Sequence, residues 1–365
     1  MSYTFELNNE RKDANFVSGK VKANSPVVEI FSAMAQGKDL APYGKKADVA
    51  AKYIMELNSK ASNGDINAMS ELNEIRRFAM EPVLMKEIKL LSIYGNYKAI
   101  GFNDSCEVEI PEFANLGSKI QAAGQDVTFP VIRKKRVPIA TVNISGGYAV
   151  DYRKAAIGDM TDENELQDQV RVQIRNNAAK YVVETIYTAI KNAKGVKYLA
   201  DDASLTKTNA DKVIANVRRF GKPTITGDYA LISKFNDFAG FSGTTPAVTG
   251  ISQKVMDEIH STGLMGMYNG AILSELPNPY DLTTMNKTGD NFDTMLPAGL
   301  GYVIPAGGQS PIYTITRGGL TSFTGTDVTT GQIMSRFDLS VGALVAPNRE
   351  YEIGLLHDQS LDSLK

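Results

Sequence analysis

One long amphipathic helix is the feature of this sequence that most constrains the fold. Between about Asp162 and Lys194, apolar residues recur every three or four positions, which is typical of a helix with one apolar face. At 1.5 Å per residue, a helix of roughly 33 residues is about 50 Å long, whereas the average helix has about 11–12 residues. We therefore expect it to brace a larger part of the molecule. The apolar positions are Leu166, Val170, Ile174, Ala178, Val182, Ile186 and Ile190.

The residues at both ends support this helix. Thr161 and Asp162 are favourable N-cap residues, and Glu165 stands three positions after Asp162, as in a capping box. Gly195 is the residue type that most often ends a helix in the left-handed conformation. A coiled coil is the alternative, but the apolar stripe is too short and too irregular for sustained heptads.

Composition sets broad limits on function. The 365 residues, 43% hydrophobic and 22% charged, are typical of a soluble chain long enough for two or more domains. A net charge of −2 argues against a dedicated nucleic-acid-binding protein. Cys106 is the single cysteine, and we expect it to be a small buried apolar side chain. No signal peptide or apolar run of membrane-spanning length is present, which favours assembly in a reducing cytoplasm.

The segments before residue 97 predict an arm and a helical region. Residues 1–42 are mostly polar and lack a sustained period, so we expect an extended arm that becomes ordered against another surface. Residues 43–96 predict two helices, over about 44–60 and 66–94, with Pro82 as a kink or break in the second.

Residues 97–150 show the alternation of β-strands. One run is Cys106–Ile110, and two further runs, Asp126–Arg133 and Arg136–Ile144, meet at Lys134–Lys135. The tip of a hairpin is expected at that meeting point. An isolated hairpin is marginally stable in water, so this one should pack against another part of the chain or another subunit.

The chain after the long helix predicts an α/β segment and then late strands. Short helices and strands alternate through residues 206–296, which indicates a mixed sheet covered by helices. The predicted elements there are helices over about Thr208–Phe220, Asp228–Asp237 and Gln253–Ser261, and strands at Pro223–Thr226 and Met265–Leu273. Residues 297–365 return to strands at Gly301–Pro305, Ile312–Thr316, Met334–Val341 and Tyr351–Leu356.

Catalytic and metal-binding patterns are weak in this chain. His260 and His357 are the two histidines, and neither has a partner at a spacing that indicates catalysis. Phosphate-binding, nucleophile-elbow, zinc and calcium motifs do not occur in the sequence. We assign no catalytic, cofactor-binding or metal-binding residue. An enzyme with an unfamiliar site around His260 and Asp257 is the competing hypothesis.

The strongest charge cluster is the run Arg133, Lys134, Lys135 and Arg136. A short basic run in a slightly acidic chain is most often a solvated surface, and nucleic acid or an acidic neighbouring protein are the other candidates. If the run lies on a protruding hairpin, a contact between subunits is a stronger hypothesis.

The order of these parts resembles the major capsid protein of tailed bacteriophages, whose fold is shared with encapsulins and the floor of herpesvirus capsids. In that family, an N-terminal arm, an extended hairpin loop, a peripheral domain with a long spine helix, an axial domain and returning strands follow in this order. The corresponding segments are 1–42, 97–150, 151–205, 206–296 and 297–365, and the helical region 43–96 departs from the simplest members. The stretches similar to family elements are Pro223–Phe235, Met267–Leu273 and Ala346–Glu350.

The resemblance implies an α+β major-capsid fold and a structural protein, not an enzyme. Such a chain would self-assemble into the icosahedral shell around the genome of a tailed bacteriophage. The implied partners are further copies of the chain in hexamers and pentamers, a portal protein, a scaffolding protein and non-specifically contacted double-stranded DNA, with no membrane and no cofactor. Its implied location is the virion, after assembly in the bacterial host cytoplasm. An encapsulin compartment and a tail or baseplate protein are the alternatives.

Overall fold

A computed structural model of the chain describes residues 25–35, 38–112, 133–151, 153, 161–240, 264–285, 289, 291–306, 310–327 and 329–362. Helices and strands both form large parts of these segments, in agreement with the α+β class that the sequence predicts. The helices are α1 (Pro26–Ala35), α2 (Lys45–Ser62), α3 (Ile66–Lys89), α4 (Thr161–Asn192), α5 (Lys207–Val217), α6 (Tyr229–Phe238) and α7 (Gln359–Asp362). The strands are β1 (Asn96–Ile100), β2 (Glu107–Glu112), β3 (Arg133–Pro138), β4 (Thr141–Asp151), β5 (Tyr198–Asp202), β6 (Lys222–Gly227), β7 (Met267–Tyr268), β8 (Ala271–Glu275), β9 (Tyr280–Met285), β10 (Phe292–Thr294), β11 (Leu300–Ala306), β12 (Ile312–Asp327), β13 (Gln332–Val345) and β14 (Gly354–Asp358).

The predicted long helix is confirmed as α4, which lies against a four-stranded sheet. Its apolar side chains, including Val170 and Ile174, are buried in one core with Phe337 of the sheet. The approach is closest at Gly146 of β4, where an added Cβ would lie 2.9 Å from Cγ1 of Val170 and 3.2 Å from Cγ1 of Ile174. A glycine therefore lets the helix and the sheet pack directly against each other.

The helix ends earlier, and by a different device, than the sequence predicts. It stops at Asn192, and Gly195 is not in the left-handed conformation, so the predicted glycine stop is wrong. The ammonium of Lys197 instead donates a hydrogen bond to the carbonyl of Lys191. A cation at this end satisfies one of the last carbonyl groups and is favoured by the helix dipole.

The four-stranded sheet has the strand order β1-β12-β13-β4. Strand β1 pairs with β12 in parallel, and β12, β13 and β4 pair antiparallel. The predicted strand segment 97–150 therefore supplies both edges of this sheet, β1 and β4, in addition to the two-stranded pair β2–β3.

A mixed six-stranded sheet lies beside α5 and α6, with the order β5-β14-β11-β6-β8-β7. Its strands come from 151–205, 206–296 and 297–365, so one sheet spans all three predicted segments. The single strand predicted at Met265–Leu273 is instead a hairpin, β7–β8. Its turn residues Asn269 and Gly270 have φ values of 46° and 78°. Asn-Gly is the residue pair that a two-residue hairpin turn with two positive φ angles favours.

The helical region forms a small core of its own and also enters the main one. Helices α1, α2 and α3 bury Phe31, Ile54, Leu57 and Leu72 against each other. The second half of α3 joins the core of the four-stranded sheet through Met80, Leu84 and Ile88.

Two expectations for the first hundred residues are wrong. Residues 26–35 form α1, with Val27, Ile30 and Phe31 buried, where the sequence predicts an extended arm. The apolar period of a helix this short spans too few residues to stand out among the polar residues around it in the sequence. Helix α3 also continues through Pro82, so the predicted break is wrong, while the predicted kink stays a prediction. Its buried face extends on both sides of the proline, so tertiary packing offsets the lost hydrogen bond.

Candidate assembly surfaces

The basic run lies within a strand and not at a hairpin tip. Arg133–Pro138 is strand β3, and its antiparallel partner is β2, with Glu112 facing Arg133 and Glu107 facing Pro138. The predicted tip at Lys134–Lys135 is therefore wrong, because pairing between distant segments decides the register. The run Asp126–Ile132, predicted as the partner strand, lies outside the described residues.

An acidic strand faces the basic one. The Glu109 carboxylate lies 3.4 Å from Nζ of Lys134, and its other oxygen lies 3.3 Å from Nε of Arg136. The hydrogen bond from Lys134, together with its charge and the contact with Arg136, holds the pKa of Glu109 below its usual value. Both cations are mostly exposed, 66% for Lys134 and 71% for Arg136. Exposed ion pairs contribute little stability.

Three basic residues of this pair therefore remain on the surface. Lys134 and Arg136 share one face with Glu109, and Lys135 is exposed on the other face of β3. The side chain of Arg133 lies outside the described part of the chain. Such a surface can contact carboxylates of another protein, and its interleaved acids make it less suited to nucleic acid.

The two ends of the β2–β3 pair are adjacent. The backbone N–H of Ile139 donates to the carbonyl of Cys106 at 2.7 Å. We name the paired strands β2 and β3 the basic hairpin. Cys106, predicted as buried, is half-buried because it lies at the base of this two-stranded element.

A buried polar network connects the helical region to α4. Arg76 of α3 donates to Oε1 of Glu163 in α4 at 2.5 Å, and both side chains are 3% exposed. The hydroxyl of Tyr148 in β4 donates to the same oxygen at 3.2 Å. Gln167 donates to the carbonyl of Arg76 at 3.1 Å. Burial by itself lowers the pKa of Arg76, but the charge of Glu163 outweighs it and raises that pKa.

A second two-stranded hairpin, β9–β10, carries exposed apolar side chains. Tyr280, Leu282, Met285 and Phe292 have exposed fractions of 53%, 72%, 66% and 39%. Two open grooves, of about 480 and 340 Å³, flank this hairpin. The sequence prediction missed it because the two strands are short and their register shifts after Phe292.

The histidines do not assemble a catalytic group in the described residues. His260 and Asp257 lie outside them. Nδ1 of His357 lies 2.7 Å from Oδ1 of Asp201, not beside the neighbouring Asp358. Asp201 also accepts a hydrogen bond from Lys191 at 2.8 Å, so this group joins the end of α4 to the six-stranded sheet. Asp358 is buried, where it accepts from the backbone of Leu205 and from Lys234.

Metal and membrane features are equally limited across the described ranges. They contain no group of three His, Cys, Asp or Glu residues that could hold a metal ion. Nor does any helix in the same ranges have the length and apolarity needed to cross a bilayer.

A long helix packed on a sheet, with two exposed hairpins of contrasting chemistry, offers surfaces on which other molecules can dock. A family profile described as "SPbeta prophage-derived putative capsid protein YonB" matches residues 8–357. The chain belongs to this family, and its function is that of a major capsid protein.

Solved shell proteins are more distantly similar. The capsid of the cyanophage P-SCSP1u is 11% identical, with 73% of this chain and 86% of that chain covered and a TM-score of 0.47. The virus-like particle from Pyrococcus furiosus is 11% identical, with 76% and 97% covered and a TM-score of 0.44. The holo-SrpI encapsulin complex from Synechococcus elongatus is 12% identical, with 74% and 86% covered and a TM-score of 0.43. A comparison with curated proteins gives no match. The family match carries the assignment.

Proposed function

We propose that this capsid protein closes an icosahedral shell of hexamers and pentamers by placing its basic hairpin on the neighbouring subunit. The observation that carries the proposal is the geometry of that hairpin. It is a two-stranded sheet of its own, with exposed cations and with both ends at one point of the body. A two-stranded hairpin is marginal in water, so contact with a neighbour stabilises it.

Helix α4 fits the role of a spine in each subunit. Its 32 residues extend about 48 Å at 1.5 Å per residue. Its apolar face is buried in the main core from Val170 to Ile190. A helix held along its length gives the subunit a rigid axis, which a closed shell requires.

The helical region 43–96 is proposed to be a permanent part of the subunit. It shares the Arg76–Glu163 pair with α4 and the Met80–Ile88 face with the main core. The other assignments stay predictions of the same proposal: an arm within 1–42, an extended loop within 97–150, a peripheral domain from 151–205 and 297–365, and an axial domain in 206–296.

The proposed partners and location follow from a shell that packages DNA. A portal protein, a scaffolding protein and non-specific contact with double-stranded DNA belong to the proposal, as do assembly in the bacterial host cytoplasm and the absence of catalysis. A prophage-derived capsid family favours a genome-enclosing shell over an encapsulin compartment. Electron microscopy separates closed shells from the rings or tubes of a tail or baseplate protein.

The test replaces residues 107–138 by an Asn-Gly turn between Cys106 and Ile139, whose backbones already share a hydrogen bond of 2.7 Å. We expect a folded subunit by circular dichroism that forms no closed shells in electron micrographs and sedimentation.

Gly195→Ala is the matched control, because nothing lies within 4 Å of the added Cβ, and it should assemble like the parent. Closed shells of normal size from the hairpin-free chain would refute the role of the hairpin.

A further inference from the structure

The smaller groove beside hairpin β9–β10 combines aromatic rings with carboxylates. We name it the aromatic groove and define it by Asp228, Tyr229, Glu275, Tyr280, Phe292 and Asp293. Tyr229, Tyr280 and Phe292 are 48%, 53% and 39% exposed. An exposed apolar cluster of this kind, with a polar rim, marks an interaction surface.

The charged residues in the described lining of the groove are all acidic. None of its described lining residues is basic. Asp228 caps α6 by accepting from the N–H of Ala230 at 2.7 Å and also accepts from Asn278. Glu275 and Asp293, by contrast, form no ion pair with any residue in the described ranges. Carboxylates beside aromatic faces are the surroundings that lysine and arginine side chains favour.

The complementary surface occurs on this same chain. Lys134 and Arg136 point to one face of β3, and residues two apart on a strand are separated by about 6.6 Å. Within one subunit these cations contact Glu109, and neither lines the aromatic groove. A contact between these cations and the groove would therefore join two copies of the chain.

We infer that the aromatic groove of one subunit receives the Lys134–Arg136 face of the basic hairpin of the next subunit. The inference rests on the proposed self-assembly and names the surface that the hairpin contacts. Two different surfaces meet in this contact, so it is head-to-tail, the type of contact from which rings are built.

Charge reversal on each side tests the inference. Lys134→Glu with Arg136→Glu makes a strand variant, and Glu275→Lys with Asp293→Lys makes a groove variant. All four side chains are at least partly exposed, so both variants should fold, which circular dichroism checks. Each variant alone places like charges in contact, and we expect at least about a tenfold loss of assembly in sedimentation velocity.

Mixing the two variants one to one is the decisive arm. Alternating subunits place opposite charges at every contact, so oligomers should form again, while rings with an odd number of subunits remain excluded. Assembly of either variant at the parental rate, or no recovery on mixing, would overturn the inference. Failure of the parent chain to form shells would instead refute the proposed function.

A cysteine cross-link gives a second readout that does not depend on charge. In a Cys106→Ala background, Arg136→Cys with Glu275→Cys should give disulfide-linked multimers on a non-reducing gel. The control pair Val196→Cys with Glu275→Cys should stay monomeric, since Val196 is exposed elsewhere, in the loop after α4. If Glu275→Cys links to Lys12→Cys and not to Arg136→Cys, the N-terminal segment occupies the groove and the inference fails.

Discussion

The Arg76–Glu163 pair offers a sharp test of how the helical region is held to the rest of the subunit. Both side chains are 3% exposed, and their charged atoms are 2.5 Å apart. Glu163→Gln keeps the volume and removes the negative charge, so a buried guanidinium remains without its counter-ion. An arginine guanidinium keeps its proton at neutral pH, so this cation does not escape the penalty by becoming neutral. Breaking a buried pair in this way costs about 3–5 kcal/mol.

Urea unfolding measures this change. The chain contains no tryptophan, so far-UV circular dichroism and tyrosine fluorescence are the two probes, and coincident transitions justify a two-state free energy. Arg76→Met with Glu163→Met removes both charges together and should lose clearly less stability than the sum of the single variants. A loss below about 1 kcal/mol for Glu163→Gln, or strict additivity in the double variant, would refute the reasoning.

Two further predictions concern Asp201, which contacts the end of α4, and Gly146, where α4 lies closest to the four-stranded sheet. Hydrogen bonds from Lys191 and Gln359, with His357 beside them, hold the pKa of Asp201 well below its ordinary value of 3.8. A lowered folded-state pKa adds stability above the unfolded value and loses it on acidification. Asp201→Asn should therefore lower the unfolding free energy by about 1 kcal/mol at pH 6. This loss should shrink below about pH 4, and a loss independent of pH would contradict the prediction. Gly146→Ala should lower the unfolding free energy by about 1–3 kcal/mol, because its Cβ pushes against Val170 and Ile174. The control Gly325→Ala in strand β12 has nothing within 4 Å of the added Cβ and should change the unfolding free energy by less than about 0.5 kcal/mol. Equal urea midpoints for the two variants would exclude the close-packing argument.

The elements set by local spacing could be predicted from the sequence. The long helix, α2, α6 and the late strands follow from apolar periods that neighbouring residues share. The turn at Asn269–Gly270 had a readable signal, since that pair favours two positive φ angles. Helix α1 and the continuity of α3 at Pro82 depend on packing partners distant in sequence, which a local pattern does not contain.

The assembly surfaces were only partly predictable for the same reason. The basic residues of β3 are visible as a run, but their pairing with Glu109, across more than twenty residues, reverses the inference of a charged tip. The aromatic groove brings Tyr229, Glu275 and Phe292 together from three separate elements. No spacing rule connects such positions, so only the folded chain shows them as one surface.

Helix α3 couples the stability of the two cores of the subunit. Its first half belongs to the small helical core and its second half to the main core, so the two cores share one continuous rod of backbone. Two hydrogen bonds also join β12 to this helix. The hydroxyl of Ser322 donates to the carbonyl of Asn73, and the backbone N–H of Leu320 donates to the carboxylate of Glu81. The two cores should therefore melt together in calorimetry, as one cooperative unit. A cut within α3 would therefore open both cores at once.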